Sequence, residues 1–188
     1  MINEADRTSL LALARAALEA RVRRARAPEV EPVGVGVFAL RRGAFVTIHA
    51  GGDLRGCLGR LGTDAPLGRT IAHLGAAVAD SDPRFAAVNV SELPRIQIEI
   101  SVLTPDEPVT SIEAIEVGRH GLIIEDGCAR GLLLPQVASE HRWDRETFLA
   151  HTCLKAGLPA DAWKHGARIL AFEAEVFGES TTASADAP

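Results

Sequence analysis

The run Leu54-Arg55-Gly56-Cys57-Leu58-Gly59 sets a thiol between two glycines and two residues after an arginine. Glycine lets a backbone turn sharply and lie close to a ligand. A nearby cation favours the thiolate, the reactive form of cysteine, and successive N–H groups in a glycine-rich turn can cradle an anion. Cys57 as nucleophile, with Arg55 and Gly56 binding an oxyanion or a carboxylate, is the chemistry these residue types could perform. The plainer reading is that Gly56 and Gly59 permit a tight turn and Cys57 packs as a small apolar residue. Both readings stay open.

A nucleophile needs a base. His120, in Arg119-His120-Gly121-Leu122, stands where a loop enters a strand, with glycine leaving room beside it, and is the histidine candidate for that role. His49, shortly before the cysteine segment, is a second. A lone loop histidine is also commonly a surface residue with one hydrogen bond. Glu99 and Ser101 fall on the polar side of an alternating strand. Were that side covered, they would need partners, for which Arg55 and Arg84 are available.

Other chemistries lack their residues. There is no G-x-x-x-x-G-K-[ST] phosphate loop and no G-x-S-x-G elbow. Gly34-x-Gly36 lacks the third glycine of a dinucleotide fingerprint. The six histidines are scattered, and Cys57, Cys128 and Cys153 have no zinc or iron–sulfur spacing, so neither a metal nor a cofactor is expected. Free thiols without a disulfide framework point to a reducing, cytoplasmic setting.

The elements that must position these groups follow from periodicity. Asn3 caps a helix whose stripe is Leu10, Leu11, Ala14, Leu18 and Val22. Residues 27–32 read as a linker with two prolines. Val35 to Leu40 and Ala44 to His49 read as a hairpin turning at Arg41-Arg42-Gly43, with the glycine-rich segment 51–59 as the loop after it. Thr63 or Asp64 caps the next helix, which runs to about Asp80, and 81–85 is a loop. In Arg95 to Leu103, Ile96, Ile98, Ile100 and Val102 alternate with Gln97, Glu99 and Ser101, which marks a strand. A short helix is expected over 111–115, and a second hairpin turns at Asp126-Gly127. Asp144 caps the last long helix, with Trp143 and Phe148 placed as a staple and Gly157 at its end. Residues 168–177 form a final strand.

The order hairpin, helix, strand thus occurs twice, which suggests a duplicated unit around a shared antiparallel sheet. One domain over 1–177 and a disordered tail over 178–188 are expected, so deleting the tail should leave the melting temperature unchanged. With 188 residues the chain can bury a core without cross-links. The formal net charge of −5 gives no basic face for nucleic acid. The arginines over 21–26 suit the end of a helix. No stretch is apolar enough to enter a membrane as a span, and Met1 to Asp6 is unlike the start of a signal peptide.

Leu54-Arg55-Gly56-Cys57-Leu58-Gly59, Asp82-Pro83-Arg84-Phe85, Glu99-Ile100-Ser101-Val102-Leu103, His120-Gly121-Leu122, Leu134-Pro135-Gln136-Val137-Ala138 and Trp143-Asp144, in that order, resemble the AMMECR-type domain family from the first helix to about Phe177. The resemblance implies an α+β fold with two similar halves, flanking helices and a barrel-like antiparallel sheet. It also implies a setting in the AmmeMemoRadiSam system, beside a Memo-like protein and a radical SAM enzyme. It carries over no established catalytic residue. A small-molecule enzyme built on Cys57 and a non-catalytic module binding a metabolite or partner are the two functional expectations.

Overall fold

A computed structural model describes residues 1–28, 35–62 and 64–179. In chain order the elements are α1 (Glu4–Val22), β1 (Ala44–Ala50), β2 (Asp53–Arg60), α2 (Leu67–Ala77), β3 (Ile96–Leu103), β4 (Glu107–Pro108), β5 (Gly121–Asp126), β6 (Ala129–Leu133), α3 (Pro135–Glu140), α4 (Arg145–Lys155), β7 (Arg168–Phe172) and β8 (Ala174–Gly178). Within the span 1–177 expected as one domain, the chain divides into two compact units. One is Met1–Val102 with the segment from Glu175, the other Leu103–Ala174.

The first unit is built on a four-stranded sheet in the order β2-β1-β3-β8. On β3 the alternation read from sequence sends Ile96, Ile98, Ile100 and Val102 to the core, where all four are buried. In register with Val102, Ile100 and Ile98, β1 adds Ala44, Val46 and Ile48 to the same face. Over it α1 lays Leu10, Ala14 and Leu18, and α2 lays Leu67, Ile71 and Leu74. Each leucine, isoleucine or valine among these contributes about 1.5–3 kcal/mol when fully withdrawn from water. The helices approach closely because Gly75 has no side chain: a Cβ there would stand 2.8 Å from the Ala14 carbonyl oxygen. Asn3 caps α1 as expected, its side chain accepting from the Asp6 N–H at 2.9 Å.

Three expectations for this unit are corrected. Residues 36–39 form a 3-10 turn, and β1 pairs instead with β2 through Gly51-Gly52. Both of those glycines have positive φ, 65° and 92°, the conformation that two-residue hairpin turns require. The segment taken as a glycine-rich loop is therefore strand β2. Gly56 and Gly59 are glycines for packing: a Cβ on Gly56 would press on Val78 and Ile48, and one on Gly59 would enter the Phe45 ring. Finally, α2 begins after Pro66 and ends at Ala77. Its first N–H is bound at 2.7 Å by the Leu40 carbonyl rather than by a side-chain cap. Thr63 lies outside the described residues, as does most of the expected linker.

The second unit has its own sheet, β4-β7-β5-β6, and its own core of Leu122, Ile124, Phe148, Leu149 and Cys153 with Ile115. The β5–β6 hairpin forms at Asp126-Gly127 as expected, with Gly127 at φ 56°. Asp144 caps α4 by accepting from the Thr147 N–H at 2.8 Å, and Gly157 follows its end at φ 76°. The helix α3, opened by Pro135, was not anticipated. Gly131 on β6 lies directly under the end of α4, where a Cβ would come within 2.2 Å of the Ala156 nitrogen.

The architecture is α+β with two antiparallel-paired sheets, not the barrel-like single sheet expected. The final strand divides at Glu173: β7 pairs with β5, and β8 lies beside β3 in the other sheet. Two residues of the expected tail are ordered: Gly178 closes β8 and Glu179 is firmly bonded. The Glu179 N–H donates to the Ile98 carbonyl at 2.9 Å, and its carboxylate accepts from the Ile98 N–H at 2.9 Å and from Arg15. Residues 180–188 lie outside the described residues. No helix among the described residues is long and apolar enough to cross a membrane.

Candidate functional site

The sheet of the first unit has a second face, opposite the core. Register aligns Cys57 of β2 with Thr47 of β1, and Thr47 with Glu99 of β3, so the three form one row across the sheet. In the next row His49 opposes Gln97. Residues directly opposed on paired strands have Cβ atoms about 4.5–5.5 Å apart, and diagonal ones about 7–8 Å. His49 is thus the diagonal neighbour of both Cys57 and Glu99. Cys57, Thr47, His49 and Glu99 are all half-buried, and Ser101 is buried.

Polar contacts fix the thiol on two sides. The Thr47 hydroxyl donates to the Cys57 sulfur at 3.3 Å. The Cys57 backbone N–H donates to the Asp82 carboxylate at 2.9 Å, so this N–H is not free to serve as an oxyanion donor. Asp82 is buried, with 4% of its surface exposed, and also accepts from the Arg84 N–H at 3.1 Å and the Arg84 guanidinium at 3.0 and 2.7 Å. The Arg84 hydrogen bonds, then the N–H groups of Cys57 and Arg84, hold the Asp82 carboxyl well below the usual carboxylate range against the opposing effect of burial. Arg84 is pushed up by the Asp82 hydrogen bond first, with burial opposing, and the charge of Cys57 adds to the shift. Arg84 also lies 5.3 Å over the Phe85 ring, which limits its range.

The expected binding residues separate on inspection. Arg55 is the unmatched residue of a β-bulge, since Ile48 pairs with Gly56 and His49 with Leu54. It forms a two-pronged ion pair with Glu92, at 2.8 and 3.3 Å, rather than attending Cys57. That pair, with the Asn89 N–H, lowers the Glu92 pKa. Gly56 faces the core and contributes space for Val78. Glu99 takes neither of its expected partners, because Arg55 is paired to Glu92 and Arg84 to Asp82. Sequence reasoning missed Thr47 and the carboxylate of Asp82. The latter carried a signal: an acid two residues before an arginine across a proline, in a loop that must close on a neighbouring strand.

His120 belongs to the second unit and lines a cavity there of about 370 Å³ with Thr104, Glu107, Phe172 and Glu173 among others. Its Nδ1 accepts the Glu116 N–H at 3.0 Å, and its Nε2 lies 3.8 Å from the Glu173 carboxylate. Arg119 binds that carboxylate at 3.0 and 3.1 Å. Cys128 is exposed. Cys153 is buried, and burial pushes its thiol pKa up. Among the described residues no three His, Cys, Asp or Glu side chains are grouped as a metal ion would need.

The comparisons with known proteins agree with one another. The AMMECR1 family matches residues 11–177. A protein of Methanosarcina mazei is 39% identical over 95% of this chain and 94% of its own. One from Methanocaldococcus jannaschii is 47% identical over 76% of each. The crystal structure of an uncharacterized protein from Pyrococcus horikoshii is similar with a TM-score of 0.75 and 38% identity, over 92% of this chain and 90% of that one. A family match over nearly the whole chain, with relatives this similar over most of their length, makes the chain a member of the AMMECR1 family.

Proposed function

We propose that the protein is a small-molecule enzyme of acyl or related group transfer, with Cys57 as nucleophile. The row Cys57–Thr47–Glu99, on the half-buried face of one sheet, is the observation that carries this reading. The Cys57 sulfur attacks the carbonyl of an activated acyl donor. The S–C bond forms as the bond to the leaving group breaks. Glu99, at the other end of the row, takes up the thiol proton through water and delivers it to the leaving group, while the Thr47 hydroxyl, which donates to the sulfur, steadies the thiolate. Water or an amine then takes the acyl group, and the S–C bond breaks as the thiol regains a proton. Arg84, fixed by Asp82, is the cation available to an anionic part of the donor.

The alternation of hairpin, helix and strand in both sheets supports an internal duplication. Family membership supports a place in a cytoplasmic pathway with a Memo-like protein and a radical SAM enzyme. The part expected of His120 in the same chemistry is a separable proposal. If it acts on Cys57, His120→Asn slows Cys57 acylation at neutral pH. If it serves only its own cavity, that rate is unchanged.

The test is intact-mass analysis after brief exposure to p-nitrophenyl acetate, with peptide mapping. One acetyl group on Cys57, lost in Cys57→Ser and slowed in Thr47→Val and Glu99→Gln, is expected. Labelling confined to the exposed Cys128 would overturn the reading. The second reading, a non-catalytic binding module, is favoured by the cavity of the second unit and would then take its place.

A further inference from the structure

The cavity in the second unit is independent of the thiol chemistry, and its lining indicates what it would hold. At about 370 Å³ it falls at the small end of the range for small-molecule sites, roughly 300–1,000 Å³. Pro105, Pro108 and Val109 give it an apolar wall, with the buried Phe172 and Ile115 behind them. Its charged lining is two carboxylates, Glu107 and Glu173, with no lysine or arginine among the lining residues.

The two carboxylates are not equivalent. Glu173 is neutralised from outside the lining by Arg119. Its backbone is pinned by Thr104, whose N–H donates to the Glu173 carbonyl at 2.8 Å and whose hydroxyl accepts the Glu173 N–H at 2.8 Å. Glu107, on the two-residue edge strand β4, is exposed and has no ion-pair partner among the described residues. His120 accepts the Glu116 N–H at Nδ1, and its Nε2 stands beside Glu173 rather than Glu107. The cavity therefore keeps one uncompensated negative charge against an apolar wall, in a chain whose net charge is also negative.

We infer that this cavity is a binding site for a small organic cation, an amine with an apolar body. The ammonium is held by Glu107 and the body lies against Pro105, Pro108 and Val109. Burial of the wall by the ligand's carbon skeleton supplies affinity, and the unpaired carboxylate selects the charge. The site selects against carboxylates of the same skeleton, because an anion would sit beside Glu107 without a counter-charge.

The experiment titrates the full chain with phenethylammonium, 2-phenylethanol and 3-phenylpropionate, which share a phenyl-alkyl body and differ in the head group. Binding is followed by backbone amide NMR. The amine is expected to saturate shifts confined to residues 104–120 and 169–173. It should bind at least about fivefold tighter than the alcohol, a difference of about 1 kcal/mol, with the carboxylate weaker still. Glu107→Gln lies on an exposed edge and should remain folded. It should bring the amine down to the alcohol's affinity and leave the alcohol unchanged. Equal binding of all three, preference for the carboxylate, shifts outside the cavity, no saturable shift, or an amine affinity indifferent to Glu107→Gln would each overturn the inference.

Discussion

Replacing Asp82 with alanine tests how the loop 81–85 holds the thiol strand. The carboxylate accepts four hydrogen bonds, one from the Cys57 backbone and three from Arg84. Arg84 is 57% exposed, so its guanidinium rehydrates when the partner is lost, and that ion pair adds little to stability. The Cys57 N–H loses its only acceptor at the edge of the sheet, at a cost of about 1–2 kcal/mol where water enters poorly. Asp82→Ala should therefore destabilise by about 1–2 kcal/mol, a fall of roughly 0.5–1 M in urea midpoint for an m-value near 2 kcal/mol/M. Asp82→Asn keeps an acceptor oxygen and should lose about half as much. The pH dependence has a definite sign. The folded pKa is depressed, so this carboxylate stabilises above the ordinary aspartate value of about 4, and the contribution is lost as pH falls through the folded pKa. The gap between the parent and Asp82→Asn should narrow below pH about 4. Urea unfolding at pH 7 and pH 3 measures both. An alanine variant within about 0.5 kcal/mol of the parent at pH 7, or a gap to Asp82→Asn that does not shrink at pH 3, would refute the reasoning.

Other perturbations separate site from scaffold. Iodoacetamide mapping at pH 7 should label Cys57 faster in the parent than in Arg84→Ala, with Arg55→Ala close to the parent because Arg55 is committed to Glu92. Gly75→Val should destabilise by about 1–3 kcal/mol through contact with the Ala14 backbone, read as a lower urea midpoint. Gly131→Ala should lose about 3 kcal/mol or more, since a Cβ there meets the backbone at Ala156 rather than a side chain that could swing aside. A chain ending at Glu179 should keep the melting temperature of the full protein. One ending at Phe177 should lose roughly 2 kcal/mol with the bonds from Glu179 to Ile98 and Arg15, which differential scanning calorimetry would record.

The elements legible in the sequence are those whose causes are local. The period-two alternation of 96–103, the Asp144 cap, the Asp126-Gly127 turn and the Gly157 helix end each depend on residues within a few positions. β2 was hidden because its glycines answer to distant partners. Gly56 makes room for Val78 and Gly59 for Phe45, and a glycine kept for a neighbour's bulk looks in sequence like a glycine kept for a turn. The division at Glu173 was hidden for a related reason. Residues 168–177 read as one strand, and only pairing shows that β7 and β8 serve different sheets.

The candidate site was legible in its thiol and not in its company. Cys57 and Glu99 stand 42 positions apart in the chain, and only the register of two strand pairs through Thr47 sets them in one row. That register is shifted by the bulge at Arg55, which turns the arginine toward Glu92. A reader of sequence places the nearest arginine beside the cysteine. The bulge sends it elsewhere, and the loop 81–85 brings Arg84 in its stead, held by a carboxylate that also takes the Cys57 N–H. One buried aspartate therefore links the conformation of the loop to the edge strand that carries the thiol.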